Sequence, residues 1–523
     1  MSDQIQQPAP PRINEQHDPT APSTTPNLPP PRRAFQTSSF ISENHMKHLS
    51  AVLAAVNIGE LLHLASSTFQ RLNPNTPPET ATIDKPLGGT FNIVFPLTFP
   101  CGTRWAIKIP ATGVQGKWDA LSAKALESEA NTMRMLRRET TIPLPDIITF
   151  ESSIDNLLRV PYILMTFIAG VPLDRVWFGE RHGVSAEDVA IHRSRVLDGI
   201  AAAMAQLSQY KFHTSGMLKF NKDGSLDREG PDSNLHSSRR YDMRGTYDRI
   251  AAGRDGAVWA EAPPSSDPKD HYTFFLDRYP PQPECLSYQY MQPLHALTRK
   301  LISWIPEPEA ADGRGFVLAH PDLDLQNVIV SREGEVRGII DWDGVGAVPR
   351  SCGCEAYPEW LMGDWRVELP FEVVSDDEDG DEDVVDSPEV LAKYKGVYRE
   401  LLRKYQGLEL TLDANKLTSS ACDDLEDGSG KDDGGVCSDL GACSLSLFTR
   451  PLKIATTETA VPDRDRGMIH LIKYIWRLEG DDKPPYLEDL GEVICEGDGD
   501  GDSEMVERLH RGFLELIARG ELA

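Results

Sequence analysis

From Phe316 to Trp342 the chain reads F-V-L-A-H-P-D-L-D-L-Q-N-V-I-V-S-R-E-G-E-V-R-G-I-I-D-W. Short apolar runs flank a polar centre. Phe316–Ala319 has the length and composition of a buried strand entering a loop. Val328–Val330 and Val336–Ile340 read as two strands joined by a turn at Glu333-Gly334. Polar side chains then fall where the chain turns: His320, Asp322 and Asn327 in the loop, and Asp341 at the end of the returning strand. Oxygen-bearing side chains delivered to one place by strand ends are the layout of a metal-phosphate site that also orients a hydroxyl nucleophile. The plainer reading is a surface hairpin with ordinary turn acids.

Upstream, Arg104–Pro110 reads R-W-A-I-K-I-P. A period of two puts Trp105, Ile107 and Ile109 on one face and Ala106 and Lys108 on the other, which gives the lysine a fixed direction. The alternative is a lysine that merely snorkels from an edge strand. A helical pattern follows over Ala123–Arg138, with Leu126, Ala130, Met133 and Leu136 as its apolar stripe. Glu129 stands beside that stripe, placed to turn inward and pair with Lys108, and Glu127 is its competitor. Before the lysine strand, Leu87–Phe99 reads L-G-G-T-F-N-I-V-F-P-L-T-F. There Gly88, Gly89 and Thr90, between two strands, can bring backbone N–H groups and a hydroxyl close to phosphates. No G-K-[ST] follows and the G-x-G-x-x-G spacing is absent, so a plain turn competes with that reading.

The remaining pieces are mostly helical. Phe40–Leu72 gives one or two amphipathic helices, Ser185–Gln209 a long one, and Pro293–Ile305 another with its proline in the first turn. Tyr162–Gly170 is a buried strand running to a glycine break. Leu218–Asp270 is polar and turn-rich, an insertion or a substrate-facing segment. Glu389–Tyr405, Gly467–Leu478 and Met505–Ile517 are further helices.

With 523 residues the chain fits either about three units or one large two-lobed domain with insertions. Its net charge of −28 is concentrated in Asp376–Asp386, Asp423–Asp439 and Glu496–Glu507. Such runs stay solvated and repel a phosphate backbone, so nucleic acid is excluded as a partner. Eight cysteines at irregular spacing make no disulfide framework, and the single C-x-C of Cys352 and Cys354 lacks a second pair for zinc. These features point to a reducing, cytoplasmic compartment. The N-terminus carries Asp3 and Glu15 among prolines, unlike a secretory signal or an acid-poor transit peptide. No apolar run approaches the roughly 20 residues of a membrane helix, so a soluble protein without a membrane partner is expected. Protein partners are not readable.

In this order, Leu87-Gly-Gly-Thr-Phe-Asn92, Trp105-Ala-Ile-Lys108, Glu129, Tyr162-Ile-Leu-Met165, His320-Pro-Asp-Leu-Asp-Leu-Gln-Asn327 and Ile340-Asp-Trp342 resemble the aminoglycoside phosphotransferase family. This is the small-molecule branch of the protein-kinase-like fold, and the chain looks most like its divergent fungal members. The resemblance implies an α+β, bilobal fold with a small antiparallel-sheet N-lobe and a larger, mostly helical C-lobe. On that frame residues 1–38 are a disordered Pro-rich tail, 39–78 a helical extension and 79–167 the N-lobe. Residues 168–408 form the C-lobe, with an insert at 218–270 and an acidic loop at 375–388. Residues 409–464 are a low-complexity acidic insert, and 465–523 hold helices that complete the C-lobe.

The resemblance also implies ATP and Mg²⁺ as cofactors and a small molecule as substrate. Lys108, positioned by Glu129, would hold the α- and β-phosphates beneath Gly88, Gly89 and Thr90. Asp322 would accept or orient the proton of the acceptor hydroxyl, and Asn327 and Asp341 would ligate Mg²⁺. The backbone from Thr166 to Ile168 would meet the adenine, while His320 would brace the loop. Pro321 replaces the glycine frequent in the family. Asp324 stands where Ser/Thr protein kinases usually place a lysine, which argues against a protein substrate. After Asp341 the run W-D-G-V-G-A-V-P-R offers no regulated loop, and Asp343 either backs up Asp341 or caps a turn. The rival reading is a pseudokinase scaffold, which would have no need to keep Lys108, Asp322, Asn327 and Asp341 together. Glu496–Glu507 approaches a calcium loop in spacing, against the commoner acidic linker.

Overall fold

The computed structural model describes residues 47–227, 235–254, 256–284, 288–305, 314–365, 386–407, 471–473, 475–476, 485–496 and 504–519. The Pro-rich tail, most of the acidic loop, the 409–464 stretch and residues 497–503 of the calcium-like run lie outside them.

The architecture is α+β, as expected, with an antiparallel sheet leading a mostly helical body. Helices α1 (Ser50–Ala55) and α2 (Ile58–Leu72) come first. Asn57 caps α2 by accepting from the Gly59 and Glu60 N–H groups, which satisfies donors that have no partner inside the helix. The sheet then uses β1 (Thr82–Ile83), β2 (Leu87–Gly88), β3 (Asn92–Thr98), β4 (Arg104–Pro110), β5 (Ile147–Glu151) and β6 (Tyr162–Thr166). Its order is β1-β3-β4-β6-β5, with β2 paired to β3, and every pairing is antiparallel. Between β4 and β5 runs α3 (Ala120–Glu139), capped by Asp119 on the Ser122 N–H.

The two faces of this sheet divide as the alternation predicts. Trp105, Ile107 and Ile109 pack with Ile93, Phe95 and Leu97, and the N-terminal helices lay Val52, Leu61, Ala65 and Phe69 over them. Phe69 stacks on Phe99 at 4.3 Å. On the other face α3 packs Leu126 and Ala130 against Ile163. Lys108 therefore projects towards α3.

The second part contains β7 (Val171–Pro172), α4 (Asp174–Trp177), α5 (Ala186–Leu207), β8 (Lys211–Phe212) and β9 (Met217–Leu218). β10 (Leu235–His236), β11 (Ser238–Tyr241), α6 (Met243–Ala251), β12 (Trp259–Ala262), α7 (Pro268–Arg278) and α8 (Tyr288–Ser303) follow. β13 (Phe316–Ala319) lies between β16 (Gly346–Pro349) and β8, while β14 (Val328–Val330) lies between β15 (Val336–Ile339) and β7. The opening stretch is thus a fully buried strand, a loop and a hairpin. Leu197, Ile200, Met204, Leu318, Val328 and Trp342 share one large core with α9 (Pro388–Tyr405).

Three local readings change. The strand beginning at Tyr162 ends at Thr166, not at Gly170, because the chain leaves the sheet where the pairing of β6 with β4 and β5 runs out. Pro293 lies inside α8, which starts five residues earlier, at Tyr288, so it forfeits the backbone bond to the residue four positions before it. The polar segment after Leu218 holds ordered elements: β11 and β12 pair antiparallel, with α6 between them in the chain, in the register Arg239↔Glu261 and Tyr241↔Trp259.

Candidate functional site

Lys108 Nζ lies 2.7 Å from Glu129 Oε1 and 2.7 Å from Asp341 Oδ1. One ammonium thereby ties the sheet, α3 and the end of the hairpin together. Lys108 and Glu129 are both buried, while Asp341 is partly open. Glu127, the competitor, instead meets the Ser152 hydroxyl at 2.5 Å. Burial works against the Lys108 charge, but Asp341, Glu129 and Asp343 outweigh it and hold the ammonium above its ordinary value. Burial pushes Glu129 up to about 7 against the pull of Lys108. Asp341 is also raised by burial, but Lys108 more than compensates and keeps its carboxyl below the usual range.

The loop after β13 is held from within. Asn327 Nδ2 donates to the Asp322 carbonyl at 2.8 Å and to Asp322 Oδ2 at 2.9 Å. The Asp322 N–H donates to His320 Nδ1 at 3.2 Å, so Nε2 carries the proton and donates to the Ile340 carbonyl at 3.0 Å. The His320 ring packs edge-on against Trp342 at 4.6 Å, and burial pushes its pKa down to about 4. It is a neutral brace between the two ends of the stretch. Asp324 caps the short turn Leu325–Asn327 through the Leu325 N–H at 2.8 Å.

Gly88, Gly89 and Thr90 form an exposed turn, closed by the Gly89 N–H on the Asn92 carbonyl at 2.8 Å. His48 Nε2 meets the Gly89 carbonyl at 2.9 Å. The Thr166 N–H donates to the Asp146 carbonyl and the Phe167 N–H to the Arg104 carbonyl. The Thr166 N–H is thus committed to the neighbouring chain segment. Ile168 packs over Gly338, where an added Cβ would sit 2.8 Å from its Cγ2.

The donor set fits a hard divalent cation. With Nδ2 committed to Asp322, Asn327 keeps Oδ1, and Asp341 keeps the carboxylate oxygen that Lys108 does not take. All are oxygens, which suits Mg²⁺ completed by phosphate and water. Among the described residues no cluster of three or more His, Cys, Asp or Glu side chains makes a metal centre. Cys352 and Cys354 are not joined in a disulfide.

Two features were not legible in the sequence. Asp343 has Arg239 Nη1 of β11 at 3.6 Å. Phe91, at the tip of the glycine turn, packs on Tyr241 at 4.8 Å and Trp259 at 5.1 Å. A short strand inside a polar segment has no period long enough to declare itself, so only the doublet Arg239-Arg240 next to Tyr241 hinted at it.

Among known proteins, "Altered inheritance of mitochondria protein 9, mitochondrial" of Candida tropicalis is 29% identical over 145 residues, covering 27% of this chain and 23% of that protein. The protein of the same name from Kluyveromyces lactis is 23% identical over 266 residues, 43% of this chain and 42% of that protein. The chain thus matches less than half the length of these curated relatives. Of solved structures, amicoumacin kinase in complex with AMP-PNP, Ca²⁺ and Ami is similar at 13% identity and a TM-score of 0.37, over 90% of this chain and 96% of that one. The relatives' names overturn the cytoplasmic location read from the sequence, since they are called mitochondrial. Free thiols separate oxidising from reducing surroundings, not one reducing compartment from another. Residues 104–352, which hold Lys108, Glu129, Asp322, Asn327 and Asp341, match the model of the phosphotransferase enzyme family.

Proposed function

We propose that the protein transfers the γ-phosphoryl group of ATP to a hydroxyl of a small molecule. The observation that carries this is the meeting of Lys108 with Asp341, 233 positions apart, at 2.7 Å, beside an Asp322 held by Asn327. Lys108 would hold the α- and β-phosphates, with Glu129 fixing its direction, and the turn Gly88–Thr90 would cover them. Asn327 and Asp341 would ligate Mg²⁺, which when bound neutralises phosphate charge. Asp322 would take the hydroxyl proton as the acceptor oxygen bonds to the γ-phosphorus and the bond to ADP breaks. Ile168, past the paired end of β6, would lie near the adenine. Phosphoryl transfer asks the protein mainly for positioning and charge, and these residues supply both. The relatives' names make the mitochondrion the compartment in which to seek the acceptor.

The test is ADP release from Mg²⁺-ATP across a panel of hydroxylated small molecules. Asp322→Asn should lower transfer by about 10²–10⁴-fold while nucleotide affinity stays within a few-fold. Equal turnover by wild type and Asp322→Asn would remove Asp322 from the chemistry.

A further inference from the structure

We propose that Arg239, carried by the antiparallel pair β11–β12, is a phosphate-binding residue that grips the terminal phosphate of the bound nucleotide. The proposal rests on the phosphotransferase reading and goes beyond it, because it gives the 218–270 insert a part in the site. Arg239 is only 7% exposed, and its Nε is buried with no hydrogen-bond partner. Asp343, at 3.6 Å from Nη1, is beyond normal hydrogen-bond reach. The guanidinium lies 3.8 Å over the Trp259 ring, and Trp259 Nε1 is a second buried donor without an acceptor. A guanidinium keeps its proton in a protein interior; Asp343 pairs its charge at ion-pair distance but leaves Nε without an acceptor, a place that a phosphate oxygen would fill.

The place of that anion follows from the neighbours. Arg239 lines one cavity together with Lys108, Glu129, Asn92 and Asp343. Phe91 of the glycine turn packs on both Tyr241 and Trp259, which also touch each other, so the turn and the β11–β12 pair are packed as one unit. Lys108 already faces two carboxylates, and Asp343 adds another negative charge to the cavity. A polyphosphate entering there needs a second cation from the protein. Arginine suits phosphate oxygens through its planar fork of donors. Arg239 shares the cavity of Lys108 and lies beside Asp343, two residues past the Mg²⁺ ligand assigned to Asp341, so its anion is a phosphate of the nucleotide at the metal-bound end.

The experiment measures affinity, not turnover. Wild type, Arg239→Gln and Arg239→Lys are titrated calorimetrically with Mg²⁺ plus a non-hydrolysable ATP analogue, and with Mg²⁺-ADP. Losing a charge-assisted hydrogen bond should weaken the triphosphate by roughly tenfold or more in Arg239→Gln, with ADP changed by less than about threefold. Arg239→Lys, which keeps charge but not the fork, should fall between and remains decisive if Arg239→Gln does not fold. Equal losses for both nucleotides, or none, would overturn the proposal and assign Arg239 a packing role. If wild type binds both nucleotides and the variants match it, only this inference fails. If wild type binds neither, the phosphotransferase reading fails as well.

Discussion

Asp341 adopts φ 62°, in the left-handed region that non-glycine side chains rarely enter. Holding it there has a conformational cost, offset by the ion pair with Lys108 that the turned backbone allows. The direction of Lys108 was legible from a period of two, and the choice of Glu129 over Glu127 from its place beside the apolar stripe. The partner of Asp343 was not, because Arg239 reaches it only through tertiary packing. His320 makes a prediction at this scale. Its pKa is depressed from 6.5 to about 4 by burial, so the unfolded chain takes up a proton before the folded one does. The contribution is complete above pH 6.5 and is lost as pH falls towards 4, by up to about 3 kcal/mol at ~1.4 kcal/mol per unit. Denaturant melts at successive pH values should give a shallower acid slope in His320→Gln than in wild type. Parallel slopes would mean that His320 titrates normally.

The hairpin β14–β15 decides where Asp341 points, and its turn depends on Gly334. That residue has φ 82°, and an added Cβ would lie 2.7 Å from the His192 carbonyl oxygen, which is backbone and cannot swing aside. Gly102, at φ 88°, has nothing within 4 Å of such a Cβ. Gly102→Ala should therefore show only the left-handed cost of about 1–2 kcal/mol, and Gly334→Ala more, in urea unfolding. Equal losses would show that the turn yields without strain. Both strands of this hairpin were readable because each is apolar and bounded by turn residues. The pairing of β11 with β12 was hidden because S-R-R-Y and W-A-E-A are only four residues each, within polar surroundings. Pro293 misled for a related reason: proline marks a first turn in most helices, and here α8 begins earlier.

At the scale of the molecule, α1 and α2 share one apolar core with the sheet, so the helices ahead of the glycine turn form the layer that backs Lys108. Arg193 and Trp177 both bond Asp386, at 3.0 and 2.7 Å, so the end of the acidic loop is tied to α4 and α5. The division into a sheet and a helical body was legible because amphipathic periods of two and 3.6 separate along the chain. The compartment was not, since no residue pattern here distinguishes one reducing space from another. The central claim is that Lys108, Asp322, Asn327 and Asp341 form a site for a magnesium nucleotide. Its most direct test is thermal unfolding of wild type and Asp341→Asn with and without Mg²⁺-ATP. A ligand at 100 times its dissociation constant should stabilise wild type by about 2.7 kcal/mol, and Asp341→Asn should lose most of that gain. No stabilisation of wild type at millimolar Mg²⁺-ATP would contradict the account.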